Sequence, residues 1–239
     1  MERQAGMEFY GVVVAGGKGT RLGFAKQYAL LAGKPMWERS VEALAAGGVR
    51  RIWLVVPAAD IDVIGQHIKD KPAPIAVTVV AGGDSRAESV ANGLRELFAE
   101  VSDWSQAGVA IHDAARPFVA PQDVRAVLDT ARQFGGAMLG QACVDTMKKV
   151  ENGRVTGTVA RAGLWHAQTP QVFRADWLQR VYASPQVELE VTDDASLIEH
   201  HGYPIHMVLA SGFNGKVTTA ADMEFAKWLA ERKWGGQAE

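Results

Sequence analysis

The stretch Tyr10-Gly11-Val12-Val13-Val14-Ala15-Gly16-Gly17-Lys18-Gly19-Thr20-Arg21-Leu22-Gly23 decides the reading of this chain. An apolar, β-forming run passes directly into a turn rich in glycine and cations, and Lys26 follows in Ala25-Lys26-Gln27-Tyr28. Glycines let a backbone approach a phosphate with its N–H groups turned inward. Arg and Lys supply the countercharge. The turn is not a Walker A loop, which needs Lys and then Ser or Thr after the second glycine; here Lys18 precedes Gly19 and Thr20 follows it. Nor is it a dinucleotide fingerprint. Gly17 and Gly19 are correctly spaced, but the third glycine, Gly23, falls one position late, and no acidic residue ends a second strand about 20 residues on. A turn that needs glycine for geometry alone is the competing reading. Arg21 and Lys26 favour a nucleoside triphosphate site, because a purely structural turn has no use for two cations.

Working outward, the 239 residues are 48% hydrophobic and 22% charged, which suits one globular domain with a sizeable core. A net charge of -2 gives no sign of a nucleic-acid or membrane surface. The single cysteine, Cys143, excludes an intramolecular disulfide and fits a reducing cytosol. Within Ala142-Cys143-Val144 it reads as a small packed hydrophobe rather than a nucleophile. No run approaches the roughly 18 apolar residues of a membrane span, and Met1 to Glu8 lack the apolar centre of a secretion signal. A cytoplasmic location is expected.

Strand-like and helix-like runs alternate. Strands are expected at Val12–Val14, Arg51–Val56, Val77–Val80 and Gly108–His112, and helices at Met36–Ala46, Asp60–Lys69, Ser89–Phe98 and Pro121–Phe134. This repetition predicts an α/β fold with a mostly parallel sheet and helices on both faces. Ligands then bind at the carboxyl ends of the strands. Three polar clusters follow strand ends and should converge there: Gly16 to Lys26, Gly82 to Ser89, and His112 to Pro117. The alternation breaks near Met147. Thr146–Val150 and Arg154–Val159 flank Glu151-Asn152-Gly153, and Asn-Gly between alternating runs signals a hairpin. Such an arm, at about residues 142–166, protrudes from the sheet or forms an ordinary edge hairpin. A helix at Asp194–His200, a strand at Ile205–Leu209 and a helix at Ala220–Arg232 complete the chain. One domain is expected over residues 7–234, with 1–6 and 235–239 as flexible termini.

Eight stretches, read together and in order, resemble the 2-C-methyl-D-erythritol 4-phosphate cytidylyltransferases of the non-mevalonate isoprenoid pathway. They are Ala15-Gly16-Gly17-Lys18-Gly19-Thr20-Arg21, Lys26-Gln27-Tyr28, Gly82 to Val90, His112-Asp113-Ala114-Ala115-Arg116-Pro117, Asp145-Thr146-Met147-Lys148, Gly163 to Gln171, Thr192 to Ser196 and Lys216-Val217-Thr218. Each is modest alone; their order across nearly the whole chain is specific. The chain departs from the family pattern in three places: Val14-Ala15-Gly16-Gly17 stands where Pro-Ala-Ala-Gly is common, Ala25 replaces the proline before Lys-Gln, and the segment from Arg21 to Lys26 is short. Ribitol 5-phosphate cytidylyltransferases share the first stretch, so that acceptor is the alternative. A non-catalytic CTP sensor is a rival of another class, although such a protein needs neither Arg21 nor Lys26.

The resemblance implies a Rossmann-like nucleotidyltransferase sheet, CTP and methylerythritol 4-phosphate as substrates, and in-line attack of the acceptor phosphate on the α-phosphorus. It also implies a homodimer joined through the β-arm. The acceptor is already ionised at neutral pH, so no general base is needed, and the chain need carry no nucleophile–base pair. Arg21 and Lys26 match the family's catalytic cations, which stabilise charge on the α-phosphate. Ala15, Gly16 and Gly17 approach the nucleotide. Gly83, Asp84 and Ser89 match the cytosine pocket, Ser89 doubling as a possible helix N-cap. Asp113 and Ala114 match the ribose end, with Asp113 reaching ribose or acceptor hydroxyls and ordering Mg²⁺ through water. Arg116 reads as a structural partner of Asp113 or of another loop carboxylate, and His112 as a packed strand-end residue. Thr146, Arg161, Thr169 and Lys216 match the acceptor-phosphate site. Thr146 and Arg161 lie beside the arm and would complete the site of a neighbouring subunit. No Asp, His or Cys cluster has structural-metal spacing, and His200-His201 is a chance pair. The implied Mg²⁺ is held mainly by substrate oxygens.

Overall fold

The computed structural model describes residues 6–16, 28–183 and 193–237. The chain begins with strand β1 (Glu8–Val14), the short strands β2 (Leu30–Leu31) and β3 (Lys34–Pro35), helix α1 (Met36–Gly47), β4 (Arg51–Val56), α2 (Ile61–Asp70), β5 (Ala76–Ala81), α3 (Arg86–Glu100), β6 (Ala107–Asp113) and α4 (Pro121–Phe134). It continues with β7 (Gly136–Ala142), β8 (Met147–Glu151), β9 (Arg154–Val159), β10 (Trp165–Arg174), α5 (Ala175–Tyr182), α6 (Asp194–His200), β11 (His206–Leu209) and α7 (Ala220–Trp234). A 3-10 turn at Gly235–Gln237 follows α7.

Seven strands form the main sheet in the order β11-β7-β10-β6-β1-β4-β5. Neighbours run parallel, except that β10 is antiparallel to both β6 and β7. Both faces are covered, which is why β6 is buried along its whole length and why β1 and β4 read as continuous apolar runs. Successive side chains alternate faces. Val13 packs with Trp37, Leu44 and Val127 of α1 and α4, whereas Val12 packs with Val90 and Leu94 of α3, Leu178 of α5 and Ile198 of α6. Each fully buried aliphatic side chain of this kind contributes about 1.5–3 kcal/mol. A third cluster, Leu31, Met36, Phe118, Val217, Met223 and Ala226, docks α7 against the loops beside the strand ends.

Local chemistry sets the boundaries. α1 ends at Gly48 with φ 116, returning its N–H to Ala45 and Leu44, a left-handed stop that favours glycine. Pro121 opens α4, where its missing N–H is harmless. Thr219 and Asp222 make a reciprocal capping box on α7. Bonds from Thr218 and Thr219 bring the Asp222 carboxyl down to about 2.

Five elements lie outside the sequence expectations: the two-residue strands β2 and β3, and β7, β10 and α5. β7 carries two glycines and no β-branched residue, and β10 contains Pro170, so neither has an ordinary strand signature. β10 accommodates its proline at a register shift between Ala167 and Gln171. Helix α5 spans eight residues, too short for a compelling periodicity. The predicted hairpin is present as β8 and β9, paired with each other in a separate two-stranded sheet. Its turn residues Asn152 and Gly153 have φ 50 and 78, the left-handed pair of a two-residue hairpin. Nearly every residue of both strands is exposed, so the hairpin stands away from the body of its own chain.

Candidate active site

β1 pairs with β4 on one side and β6 on the other. The chain therefore reverses its direction across the sheet at β1, and a crevice opens at the carboxyl ends of these strands. A cleft of about 220 Å³, open to solvent, occupies that place. It is lined by Val14, Ala15 and Gly16 after β1, by Gly83 to Arg86 and Ser89 at the start of α3, by Asp113 to Ala115 after β6, and by Met36 and Lys216. The three polar clusters thus converge as far as they are described. Gly17, Lys18, Arg21 and Lys26 lie outside the described residues.

The α3 side is built from backbone and hydroxyl groups. Ser85, not Ser89, caps the helix, accepting from the Glu88 N–H. The Ser89 hydroxyl instead donates to Ser85 O at 2.9 Å and accepts from Gly83 N at 3.1 Å. Sequence reading places the helix start three residues late because Ser89 offers the same capping chemistry as Ser85. Glu88 accepts from Asp84 N at 2.8 Å. A Cβ on Gly83 would come within 2.3 Å of the Glu88 side chain, so a larger residue there would push Glu88 off Asp84 N.

Charge concentrates opposite. Asp113 is nearly buried and accepts from Arg86 Nε at 2.9 Å on one oxygen and from Lys216 Nζ at 2.7 Å on the other. Burial alone would push its carboxyl up; the two cations overcome this and hold it well below the usual carboxylate range. The other end of the Arg86 guanidinium lies 2.8 Å from Asp194 Oδ2, close enough for an ion pair although not aligned as a hydrogen bond. Burial acts to lower Arg86, but Asp194 and Asp113 outweigh it and raise the group. Arg116 is not the partner of Asp113. Its guanidinium donates instead to Asn214 O at 2.8 Å.

Lys216 owes its position to the loop before α7. The Asn214 amide donates to Gln168 Oε1 and Thr169 O, both at 3.0 Å, and Val217 N bonds Ala115 O at 2.8 Å. Thr169 is buried beneath the cleft, outside its lining. Its hydroxyl accepts from Asp113 N at 3.1 Å and meets His112 Nδ1 at 2.9 Å. His112 Nε2 lies 3.2 Å from Arg116 O. A carbonyl only accepts, so Nε2 carries the proton and Nδ1 accepts from Thr169. Thr146 and Arg161 are exposed at the base of the arm and do not line this chain's cleft. Arg161 donates to Val144 O.

His112 is fully buried, and burial brings it down to about 4. Between its ordinary value near 6.5 and this lower value, the unfolded chain takes up a proton that the folded chain refuses. Stability is therefore complete above that window and falls as pH drops through it, by about 2 kcal/mol at pH 5. Urea midpoints measured at pH 7 and pH 5 should separate accordingly, and His112→Gln should narrow the gap. Equal gaps in the two proteins would show that His112 contributes nothing to acid sensitivity.

Sequence reading misses Arg86, Asn214 and Asp194 as parts of the site. For Arg86 a signal is present: a cation directly after an N-cap opposes the helix dipole, so it needs carboxylates nearby. Asn214 and Asp194 act through tertiary contacts that no local pattern shows.

A mostly parallel sheet with a strand-end cleft of glycine backbone, a hydroxyl and paired cations defines a nucleotide-binding enzyme of the nucleotidyltransferase class. Residues 9–232 match the family model IspD, 2-C-methyl-D-erythritol 4-phosphate cytidylyltransferase. The chain is 35% identical to the protein of that name from Geobacter metallireducens, over 95% of this chain and 99% of the relative. It is 36% identical to the one from Aquifex aeolicus, over 90% and 94%. The crystal structure of the Thermus thermophilus protein of the same name superposes with a TM-score of 0.76 at 27% identity, covering 94% of this chain and 100% of that one. The chain belongs to the IspD family of cytidylyltransferases.

Proposed function

We propose that this cleft transfers CMP from CTP to 2-C-methyl-D-erythritol 4-phosphate, releasing pyrophosphate. An acceptor phosphate oxygen attacks the α-phosphorus in line, forming the new P–O bond as the bond to the β-phosphate oxygen breaks. The observation that carries the reading is the convergence of the Gly16, Gly83–Ser89 and Asp113–Ala115 segments with Lys216 on one cleft, in a chain matched over nearly its full length by this family.

Gly83, Asp84 and Ser89 bind the cytosine, whose amino group and ring acceptors suit backbone groups and a hydroxyl. Ala15, Gly16 and Gly17 lie along the nucleotide, and Asp113 and Ala114 meet the ribose or acceptor hydroxyls. Lys216, with Thr169 beneath it, serves the acceptor phosphate together with Thr146 and Arg161 from the arm of a partner subunit. Arg21 and Lys26 stabilise the transition-state charge. The cluster around Asp113 serves binding and positioning, since the acceptor needs no base.

Each Asp113 oxygen accepts one bond from a cation and keeps a second lone pair, and among the described residues no group of three or more His, Cys, Asp or Glu could hold a metal. This donor set fits Mg²⁺ held chiefly by phosphate oxygens and water, with Asp113 reaching it through water. When bound, the ion supplies countercharge to the departing pyrophosphate. The working unit is a cytoplasmic homodimer of single domains, residues 7–234, joined through the arms. Among the described residues, no helix is long and apolar enough to cross a membrane.

Pyrophosphate release with CTP and Mg²⁺, comparing methylerythritol 4-phosphate with ribitol 5-phosphate, tests the acceptor. Preference for the first is expected. Preference for the second would assign the alternative acceptor and overturn this reading.

A further inference from the structure

Asp194 is 1% exposed and belongs to no cleft-lining segment, yet its charge sits one residue away from the substrate-facing carboxylate. Arg86, the first residue of α3, spans the gap. Its Nε serves Asp113 at 2.9 Å and its Nη2 faces Asp194 at 2.8 Å. A guanidinium bound to one carboxylate can swing about that contact; held between two, its planar fork has a single orientation. Asp194 is held directly at its carboxylate by Tyr182, and its chain neighbours on both sides are pinned. The Tyr182 hydroxyl of α5 donates to its Oδ1 at 2.6 Å. The preceding residue, Asp193, caps α6 by accepting from Ser196 N at 3.0 Å. Gln171 of β10 donates to Asp193 Oδ2 at 2.8 Å and accepts from Ala195 N at 2.9 Å. A buried carboxylate needs a countercharge, and the cation paired with this one is a residue that lines the cleft.

We propose that Asp194 is a positioning residue for the cytidylyl transfer: acting through Arg86, it fixes the Asp113 carboxylate so that a constant edge meets the substrate hydroxyls. Lys216 takes the second Asp113 oxygen, so the orientation set from Asp194 also reaches the acceptor cation. The inference rests on the reading above in which Asp113 contacts substrate. A hydroxyl contact present in both ground and transition states governs KM more than kcat. A role confined to holding α6 in place would change thermal stability alone.

The test is steady-state pyrophosphate release by the full chain with CTP, methylerythritol 4-phosphate and Mg²⁺, alongside melting temperatures. The variants are Asp194→Asn, Arg86→Gln, their double combination and Asp113→Asn. Asparagine keeps an acceptor for Tyr182, removes the charge and sets an NH2 donor in place of the oxygen that faces Arg86, so it breaks the pairing with Arg86 while keeping the side chain's size. Asp194→Asn is expected to raise KM about 5–20-fold with kcat within about threefold, and the double variant to be no worse than the weaker single one. Multiplying effects in the double variant, or an unchanged KM with a lowered melting temperature, would overturn the proposal. If Asp113→Asn leaves KM unchanged, the contact assigned to Asp113 fails instead, and the proposal falls with it. Should Asp194→Asn not fold, Tyr182→Phe carries the same comparison. It loosens Asp194 without removing charge, and a KM rise of about two- to fivefold supports the relay while an unchanged KM sinks it.

Discussion

Replacing Lys26 with alanine should lower kcat by about 10²–10³-fold while KM for CTP moves within about threefold. The described cleft supplies the reason. Its lining cations are Arg86 and Lys216; Arg86 is held between Asp113 and Asp194, and Lys216 is paired with Asp113. Neither brings uncompensated positive charge to the α-phosphorus. The transition state of nucleotidyl transfer places added charge on the phosphate oxygens, and positioned cations lower its energy most where that charge develops. The segment joining β1 to β2 carries Arg21 and Lys26, so it is the nearby source of such charge along the chain. An interaction that strengthens only as the charge develops reduces kcat without a matching change in KM. Single-turnover pyrophosphate release and direct titration of CTP binding separate the two quantities. Unchanged turnover would remove Lys26 from the transition-state role and leave Arg21 as the candidate.

The frame of the fold was legible because its strands are buried on both faces. Arg51–Val56 and Pro121–Phe134 were bounded correctly from sequence, the first stopped by Pro57 and the second opened by Pro121 and closed by Gly135. The Asn152-Gly153 hairpin was equally plain, since few residues other than these tolerate two positive φ angles in succession. β10 was hidden for the opposite reason. Its place between β6 and β7 comes from tertiary pairing that tolerates Pro170 and two glutamines. A strand of this kind is stabilised by its neighbours and carries little propensity of its own.

The candidate site divides in the same way. Gly83, Ser89, Asp113 and Lys216 were legible as motif residues, and the structure brings them to one cleft. The ion-pair partners were not legible, because pairing depends on which of several nearby cations the fold carries to the carboxylate. Arg116 is three residues from Asp113 and looked the natural partner; the turn after β6 carries it to Asn214 instead. Arg86 and Lys216 arrive from 27 and 103 residues away. Thr169 was assigned to the acceptor as a hydroxyl. In the fold that hydroxyl bonds the Asp113 N–H and His112, which shapes the floor on which Asp113 stands.

Arg161→Ala should raise KM for the acceptor about 10–100-fold, the loss of one charge-assisted phosphate contact, with KM for CTP little changed. The position of Arg161 makes the form of the defect informative. It is exposed beside the arm, bonded to Val144 O, and outside its own chain's cleft. The arm strands pair with each other and leave Val150, Val155 and Val159 largely uncovered, an apolar surface that a second subunit can bury. If the arm of one subunit completes the site of the other, Arg161→Ala and Lys26→Ala subunits complement. In a mixed dimer, one site combines both defects and the other has neither. Random exchange of equal amounts makes half the dimers mixed, so about one quarter of wild-type activity should return. Heterodimers isolated with two different affinity tags should reach about one half. With the acceptor held well below its wild-type KM, where a raised KM lowers the rate in proportion, both parent homodimers fall below these values and recovery is measured against a low background. Mixed dimers no more active than the average of their parents would mean that Arg161 acts within its own chain. The arm would then have to fold back toward Lys216 when substrate binds, rather than reach across to a neighbour.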